Sequence, residues 1–265
     1  NMNTREDEYG GPRLENRLRF AKEIVERIHA ACGDDFPVLM RYSVTSKMKG
    51  FNQGALPGET FDEFGRTREE SIEVARLLEK YGYAALDADN GTYDSWFWAH
   101  PPVYMPEACN LEDCAFIKEK VNIPVICAGR MEDPAADDKA IREGKIDAIG
   151  LARSLLADPY WPKKAMNDKA EHIRPCIACH VGCLQRIFNM KDMSCALNPA
   201  CCNEKAYELK PTASPKNVMV IGGGIAGMET ARVCALRGHK VDLYEKADRL
   251  GGMFIAASSM SFKKA

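Results

Sequence analysis

The chain has 265 residues, 46% of them hydrophobic and 28% charged, with a net charge of −2. That balance fits a globular chain and leaves no basic footprint for a polyanion, so a nucleic-acid partner is excluded. No stretch nears the roughly 18 apolar residues of a membrane helix, which excludes a membrane-spanning role as well.

The polar, acidic start around Arg5, Glu6 and Glu8 is no secretory leader, and a cytoplasmic setting is expected. Eleven cysteines in such a setting argue for metal or redox chemistry where thiols cluster and for small buried apolar side chains where they are scattered. In chain order, residues 13–31 carry an apolar stripe (Leu14, Leu18, Ala21, Val25, Ile28) at helical spacing, with Gly33 as the stop. Residues 36–41 read as a buried strand, 49–65 as a Gly- and Pro-containing loop, 67–81 as a helix and 83–87 as a second strand. An aromatic loop follows, then helix 111–121, strand 123–127, helix 133–143 and strand 146–151. Apolar strands alternating with amphipathic helices imply βαβ units and a parallel sheet. Four strands do not close a barrel, so the pattern is that of part of a larger β/α domain, and both ends of the chain read as cut. A piece of this kind, expressed by itself, is expected to be inactive and poorly folded.

Residues 174–202 are cysteine-rich and mostly lack helical periodicity, and 207–216 read as a linker. Cys176, Cys179, Cys183 and Cys195 have the spacing C-x2-C-x3-C-x11-C. Three thiolates converge from one tight loop and a fourth closes the site, a donor set for an iron–sulfur cluster or a structural zinc. His180, inside the loop, reads as a bystander. The chain restarts with a strand at 218–221 that runs into Gly222, Gly224 and Gly227 in the pattern G-x-G-x-x-G, then a helix and a strand ending in Glu245. The glycines permit a tight turn, close backbone approach to a pyrophosphate and packing of helix on strand; the acid is placed for ribose hydroxyls. Gly251 and Gly252 favour FAD over NAD.

Two arginines sit at successive strand ends. Gly129 and Arg130 follow one strand; Leu151, Ala152 and Arg153 follow the next. Glycine gives backbone access there, and arginine supplies a planar fork of donors that matches phosphate oxygens, against the alternative of surface cations. Arg41, at the end of its own strand, is suited to place a positive charge beside a flavin edge or to form an ion pair in the barrel core. The run from Asn90 to Pro102, with Tyr93, Trp96, Phe97, Trp98 and His100, either walls an apolar substrate pocket or packs on itself.

Taken together these motifs resemble the multidomain iron–sulfur flavoprotein branch of the old yellow enzyme family, which includes 2-enoate reductase, 2,4-dienoyl-CoA reductase and bile-acid enone reductases. The resemblance covers essentially the whole chain and extends to Asn3–Gly11, Leu14–Arg17 and Asn198-Pro199 followed by Cys202. It implies an α/β fold: residues 1–172 as the C-terminal half of an FMN-binding TIM (β/α)8 barrel, 173–212 as a [4Fe-4S] loop and linker, and 213–265 as the start of a Rossmann-like FAD-binding domain. It also implies a relay in which NADH or NADPH reduces FAD, electrons cross the cluster, and FMN delivers hydride to an activated carbon–carbon double bond. The resemblance assigns Arg41, Arg130 and Arg153 to FMN, the four cysteines to the cluster, and Tyr93 or His100 to the substrate side. The family's proton-donating tyrosine falls upstream of Asn1. A small-molecule substrate is expected, and a homo-oligomer is left open. Two other readings remain: an amine dehydrogenase of the trimethylamine dehydrogenase type, and an electron-transfer or zinc-binding module without catalysis.

Overall fold

The computed structural model describes residues 3–260; the expected domain limits at Asn1 and Ala265 lie outside the described residues. In chain order, α1 (Leu14–Arg17) and α2 (Arg19–Cys32) lead into β1 (Leu39–Ser43), followed by the short strands β2 (Met48–Gly50) and β3 (Gln53–Gly54). Then come α3 (Arg68–Tyr81), β4 (Ala85–Asp89), α4 (Trp96–Ala99), α5 (Leu111–Lys118), β5 (Val125–Ala128), α6 (Pro134–Arg142) and β6 (Ala148–Gly150). Helices α7 (Arg153–Ala157), α8 (Trp161–Met166) and α9 (Leu184–Phe188) precede β7 (Asn217–Ile221), α10 (Ile225–Leu236), β8 (Lys240–Tyr244) and α11 (Phe254–Ala257).

Strands β1, β4, β5 and β6 form one parallel sheet in that order, so each βαβ step moves one place along the sheet. The sheet is open, and at its β1 edge Leu39 stands half-exposed. Local signals set the crossover helices. Thr67 caps α3 by accepting from the Glu70 amide at 3.3 Å, and Gly82 ends the helix in the left-handed region. Asp133 caps α6 by accepting from the Ala135 amide at 3.0 Å, with Pro134 in the first turn. Val25 of α2, Val74 and Leu78 of α3, and Ile117 of α5 pack with Leu86 and Val125 of the strands into one core. Each fully buried aliphatic side chain stabilises the layer by about 1.5–3 kcal/mol, which fixes the helices on the sheet and aims the strand C-termini at one end.

The strands begin later than the hydrophobic runs indicate and continue through charged residues. The expected span 36–41 is Leu39–Ser43, and 83–87 is Ala85–Asp89. Charge would normally end a strand; here Arg41 is in register with Asp87, and its guanidinium also reaches Asp89, so the ladder continues. The segment 174–202, expected to lack helical periodicity over most of its length, contains the five-residue α9, and the loop 49–65 overlaps the β2–β3 pairing. The helix at 13–31 is broken at Leu18 into α1 and α2. Towards the C-terminus β7 and β8 pair in parallel with α10 between them, as expected.

Candidate active-site cleft and cysteine cavity

A cleft of about 340 Å³ opens at the C-terminal ends of β1, β4, β5 and β6. Arg41, Gly129, Arg130 and Arg153 all line it, as do Leu151 and Ala152. Residues as far apart in sequence as Arg41 and Arg153 are therefore brought to one site, because parallel strands all run towards the same end of the sheet.

Each arginine is held differently. Arg41 donates to Asp87 at 2.7 Å and to Asp89 at 2.5 Å, so it both lines the cleft and forms the ion pair of the barrel core. Burial pushes the Asp89 carboxyl up to about 6, against the pull of Arg41. Arg130 donates to the Met105 carbonyl and pairs with Glu107 at 3.4 Å and Glu132 at 3.3 Å. Arg153 makes no ion pair among the described residues. Its Nη1 donates to the Pro101 carbonyl at 2.9 Å and to His180 Nε2 at 2.6 Å, both neutral acceptors.

Three polar atoms of cleft-lining residues are buried without a hydrogen-bond partner: Arg130 Nε, Asp87 Oδ1 and His100 Nδ1. Buried polar groups are nearly always satisfied, so orphans in a cleft are the expected signature of a site built for a polar ligand. Gly129 adds a steric constraint, with φ +122° and a position where any Cβ would overlap the Asn110 amide nitrogen. That amide in turn donates to the carbonyls of Ala128 at 2.9 Å and Trp98 at 3.4 Å, fixing the strand end to the aromatic loop.

The aromatic loop presents His100 to the cleft. Its imidazole lies flat on Trp96, 4.0 Å between centroids and 11° between planes, and Trp96 meets the edge of Phe188 from α9 at 5.7 Å. Burial first, then Arg153, Arg41 and His180, lower the His100 pKa to about 4, so the ring is neutral at physiological pH. Tyr93, expected beside it, stands outside the cleft, 87% exposed and stacked on Trp96 at 5.3 Å. The loop packs partly on itself and partly walls the cleft, which combines the two readings of its sequence.

Cys176, Cys179, Cys183 and Cys195 line one narrow cavity beside the cleft, with Arg153 as its only charged lining residue. All four are free thiols, and burial pushes the Cys176 thiol up. Among the described residues no group of three His, Cys, Asp or Glu side chains is arranged to hold a metal ion. The donor set nonetheless fits a thiophilic group: four soft thiols face a common space that no carboxylate enters. His180, read from sequence as a bystander, lines the same cavity and reaches Arg153. Arg153, Leu156 and Cys183 line the cleft and the cysteine cavity alike, forming a shared wall.

In the C-terminal unit the turn between β7 and α10 holds Gly222, Gly224 and Gly227. A Cβ on Gly227 would overlap the Gly222 carbonyl, so only glycine lets α10 approach the strand, whereas the space beside Gly224 is open for a ligand. Glu245, just past β8, accepts from the Gly223 amide at 2.6 Å and the Ala247 amide at 2.8 Å. The acid is thus placed against the turn.

The profile of the NADH:flavin oxidoreductase / NADH oxidase family matches residues 1–172, and that of an NAD(P)-binding Rossmann-like domain matches 220–257. The chain is 50% identical over 262 residues to the cinnamate reductase of Clostridium sporogenes, covering 99% of this chain and 39% of that protein. A 2-naphthoyl-CoA reductase in complex with 2-naphthoyl-CoA superposes with a TM-score of 0.87 at 34% identity, over 99% of this chain and 38% of that one. The histamine dehydrogenase of Rhizobium sp. 4-9 gives 0.83 at 31% identity, over 99% and 36%. The chain therefore spans less than two-fifths of the length of these proteins. None of the helices among the described residues is long and apolar enough to cross a membrane.

Proposed function

This chain belongs to the NADH:flavin oxidoreductase / NADH oxidase family, and from that membership we propose that the whole protein is an NADH-dependent flavoprotein reductase of an activated carbon–carbon double bond in an enoate or enone. The cleft holds FMN, the four cysteines hold a [4Fe-4S] cluster, and the Gly222 turn holds FAD. Residues 1–172 are then part of the FMN barrel, 173–212 the cluster loop and linker, and 213–265 the start of the FAD domain.

The observation that carries this reading is the shared wall. Cys183, one of the four thiols, also lines the cleft where the arginines gather, so a carrier on the thiols would lie directly beside a flavin in the cleft. When bound, the two flavins and the cluster supply hydride and single-electron chemistry, with NADH or NADPH as the source. The chain's own residues position that chemistry. Arg130 and Arg153 present donors for the flavin phosphate. Arg41, clamped by Asp87 and Asp89, holds its guanidinium in a fixed place in the cleft wall. His100, neutral and braced against Trp96 in the cleft wall, has a buried Nδ1 without a partner, which in this reading hydrogen-bonds a substrate carbonyl oxygen. A neutral imidazole with so low a pKa is a poor proton source, so in this reading the proton comes from a donor other than His100.

Half of the aligned residues are shared with a cinnamate reductase, which supports an α,β-unsaturated acid over an amine. The likeness to a histamine dehydrogenase supports the second reading, oxidation of an amine. Purified whole protein separates them. The proposal expects iron with acid-labile sulfide, bound flavin, and NADH oxidation that depends on an arylacrylate and yields the saturated acid. Zinc in place of iron, or amine turnover with a dye acceptor and no enoate reduction, would refute it.

A further inference from the structure

Arg153 differs from the other cleft arginines in what restrains it. Arg41 and Arg130 are each neutralised by two carboxylates, whereas Arg153 is held by a carbonyl and an imidazole, so its charge is left for an incoming anion. The imidazole comes from a different part of the chain, the cysteine loop, one residue past Cys179. To deliver it the loop takes the left-handed conformation at Ala178 (φ 48°) and again at His180 (φ 59°), a region that side-chain-bearing residues seldom occupy. The loop is anchored to the aromatic loop by the Val103 amide, which donates to the Ala178 carbonyl at 3.1 Å. It is anchored to its own α9 by the Gln185 amide, which donates to the His180 carbonyl at 3.0 Å. Two backbone anchors and two strained residues thus fix one side chain against one guanidinium.

We propose that His180 is a positioning residue whose imidazole holds the Arg153 guanidinium at the phosphate end of the cleft, so that flavin retention depends on the fold of the cysteine loop. This rests on the flavin reading above. The backbone carbonyl of Pro101 leaves the guanidinium free to swing about a single contact; the second acceptor removes that freedom. Coupling of this kind is reciprocal, so flavin in the cleft also steadies the loop that carries three of the four thiols.

The test uses the whole protein and three readouts: FMN affinity by fluorescence, iron per chain, and the rescue variant. His180→Ala is expected to weaken FMN binding by about tenfold, the scale of one hydrogen bond to a charged group, with iron content unchanged. His180→Gln, which retains a side-chain acceptor, is expected to restore most of the affinity. Chelating the iron from the wild type is expected to loosen the flavin as well, and to have no such effect in His180→Ala. The inference is overturned if His180→Ala binds FMN within about twofold of wild type. It is also overturned if His180→Ala loses iron and flavin in parallel, which would mark His180 as a loop-folding residue only. A wild-type protein that binds no flavin would instead overturn the functional reading itself.

Discussion

Replacing Asp113 with alanine tests whether a buried polar network far from the ligands sets the shape of the cleft. Asp113, on α5, is almost fully buried. Its Oδ2 accepts from Lys47 Nζ at 2.7 Å and from Asn90 Nδ2 at 2.8 Å, and its Oδ1 accepts from Arg68. Asn90 opens the aromatic loop and also donates to Asn110 at 3.1 Å, the residue that fixes Gly129. Removing one partner of a buried ion pair costs about 3–5 kcal/mol, because the other charge stays behind uncompensated. Two details place this site at the low end. Arg68 keeps Glu112 at 2.8 Å, and Lys47 retains some solvent access and a place over the Trp98 ring at 4.9 Å. The expected loss is about 3 kcal/mol, or roughly a hundredfold drop in protection of the loop against hydrogen exchange. Whole-molecule melting is the wrong assay, since a multidomain cofactor protein does not unfold in two states. Exchange measured over residues 90–102 isolates the local effect. The pH dependence gives a second check. Burial acts to raise the Asp113 pKa, but Lys47 and Arg68 outweigh it and the net shift is downward. Its stabilisation is therefore complete above the ordinary carboxylate pKa and fades as pH falls through the lower folded value, so wild type and variant should converge only below about pH 4. Protection of the loop within about threefold of wild type at neutral pH would refute the reasoning.

Two further substitutions probe the cleft. Gly129→Ala places a Cβ on the Asn110 amide in a backbone conformation that alanine adopts at a cost of about 1–3 kcal/mol, and bound flavin per chain should fall while the secondary structure persists. Full flavin occupancy in that variant would count against a phosphate contact at Gly129–Arg130. Asp89 titrates with the opposite sign to Asp113: its folded pKa of about 6 is raised by burial, so the folded state favours the proton. Stability is greatest below the ordinary carboxylate pKa and declines by about 3 kcal/mol as pH rises from about 4 to about 6. Asp89→Asn should abolish that decline when protection of β4 against hydrogen exchange is followed across a pH series, and an unchanged pH profile would show that Asp89 is not the titrating group.

How much of this was legible in the sequence depends on the range of the interaction involved. The parallel β/α order followed from short apolar strands alternating with amphipathic helices, with helix starts expected at residues 67 and 133, where the structure makes Thr67 and Asp133 the caps. Arg130 and Arg153 were legible because they follow β5 and β6 closely, and a parallel sheet sends every strand end to one place. Strand limits were less legible, since Arg41, Asp87 and Asp89 read locally as breaks and become ladder positions only when they pair with one another across strands. Helix α9 has five residues, too few to show a period. Asn110 gave no signal at all; an asparagine at the start of a helix is ordinary, and its role arises from Gly129, brought against it by the packing of β5 on α5.

The least legible feature is also the one on which the function turns. C-x2-C-x3-C-x11-C and the strand-end arginines are separate local patterns, and neither refers to the other. Their meeting requires the chain to leave β6 through Arg153, run through α7 and α8, and return with the cysteine loop against the same arginine. A return of that kind is set by tertiary packing, in which Asn198 donates to the Leu156 carbonyl at 2.9 Å and Arg174 donates its amide to the buried Asp158 at 2.9 Å. These two contacts hold the cysteine segment against α7 from both flanks, so the thiols are brought beside the cleft by bonds that involve no thiol. Substitutions at Asn198 or Asp158 should therefore separate the cleft from the cysteine cavity while leaving the arginines and the thiols themselves intact, which makes the wall between them a property of the fold.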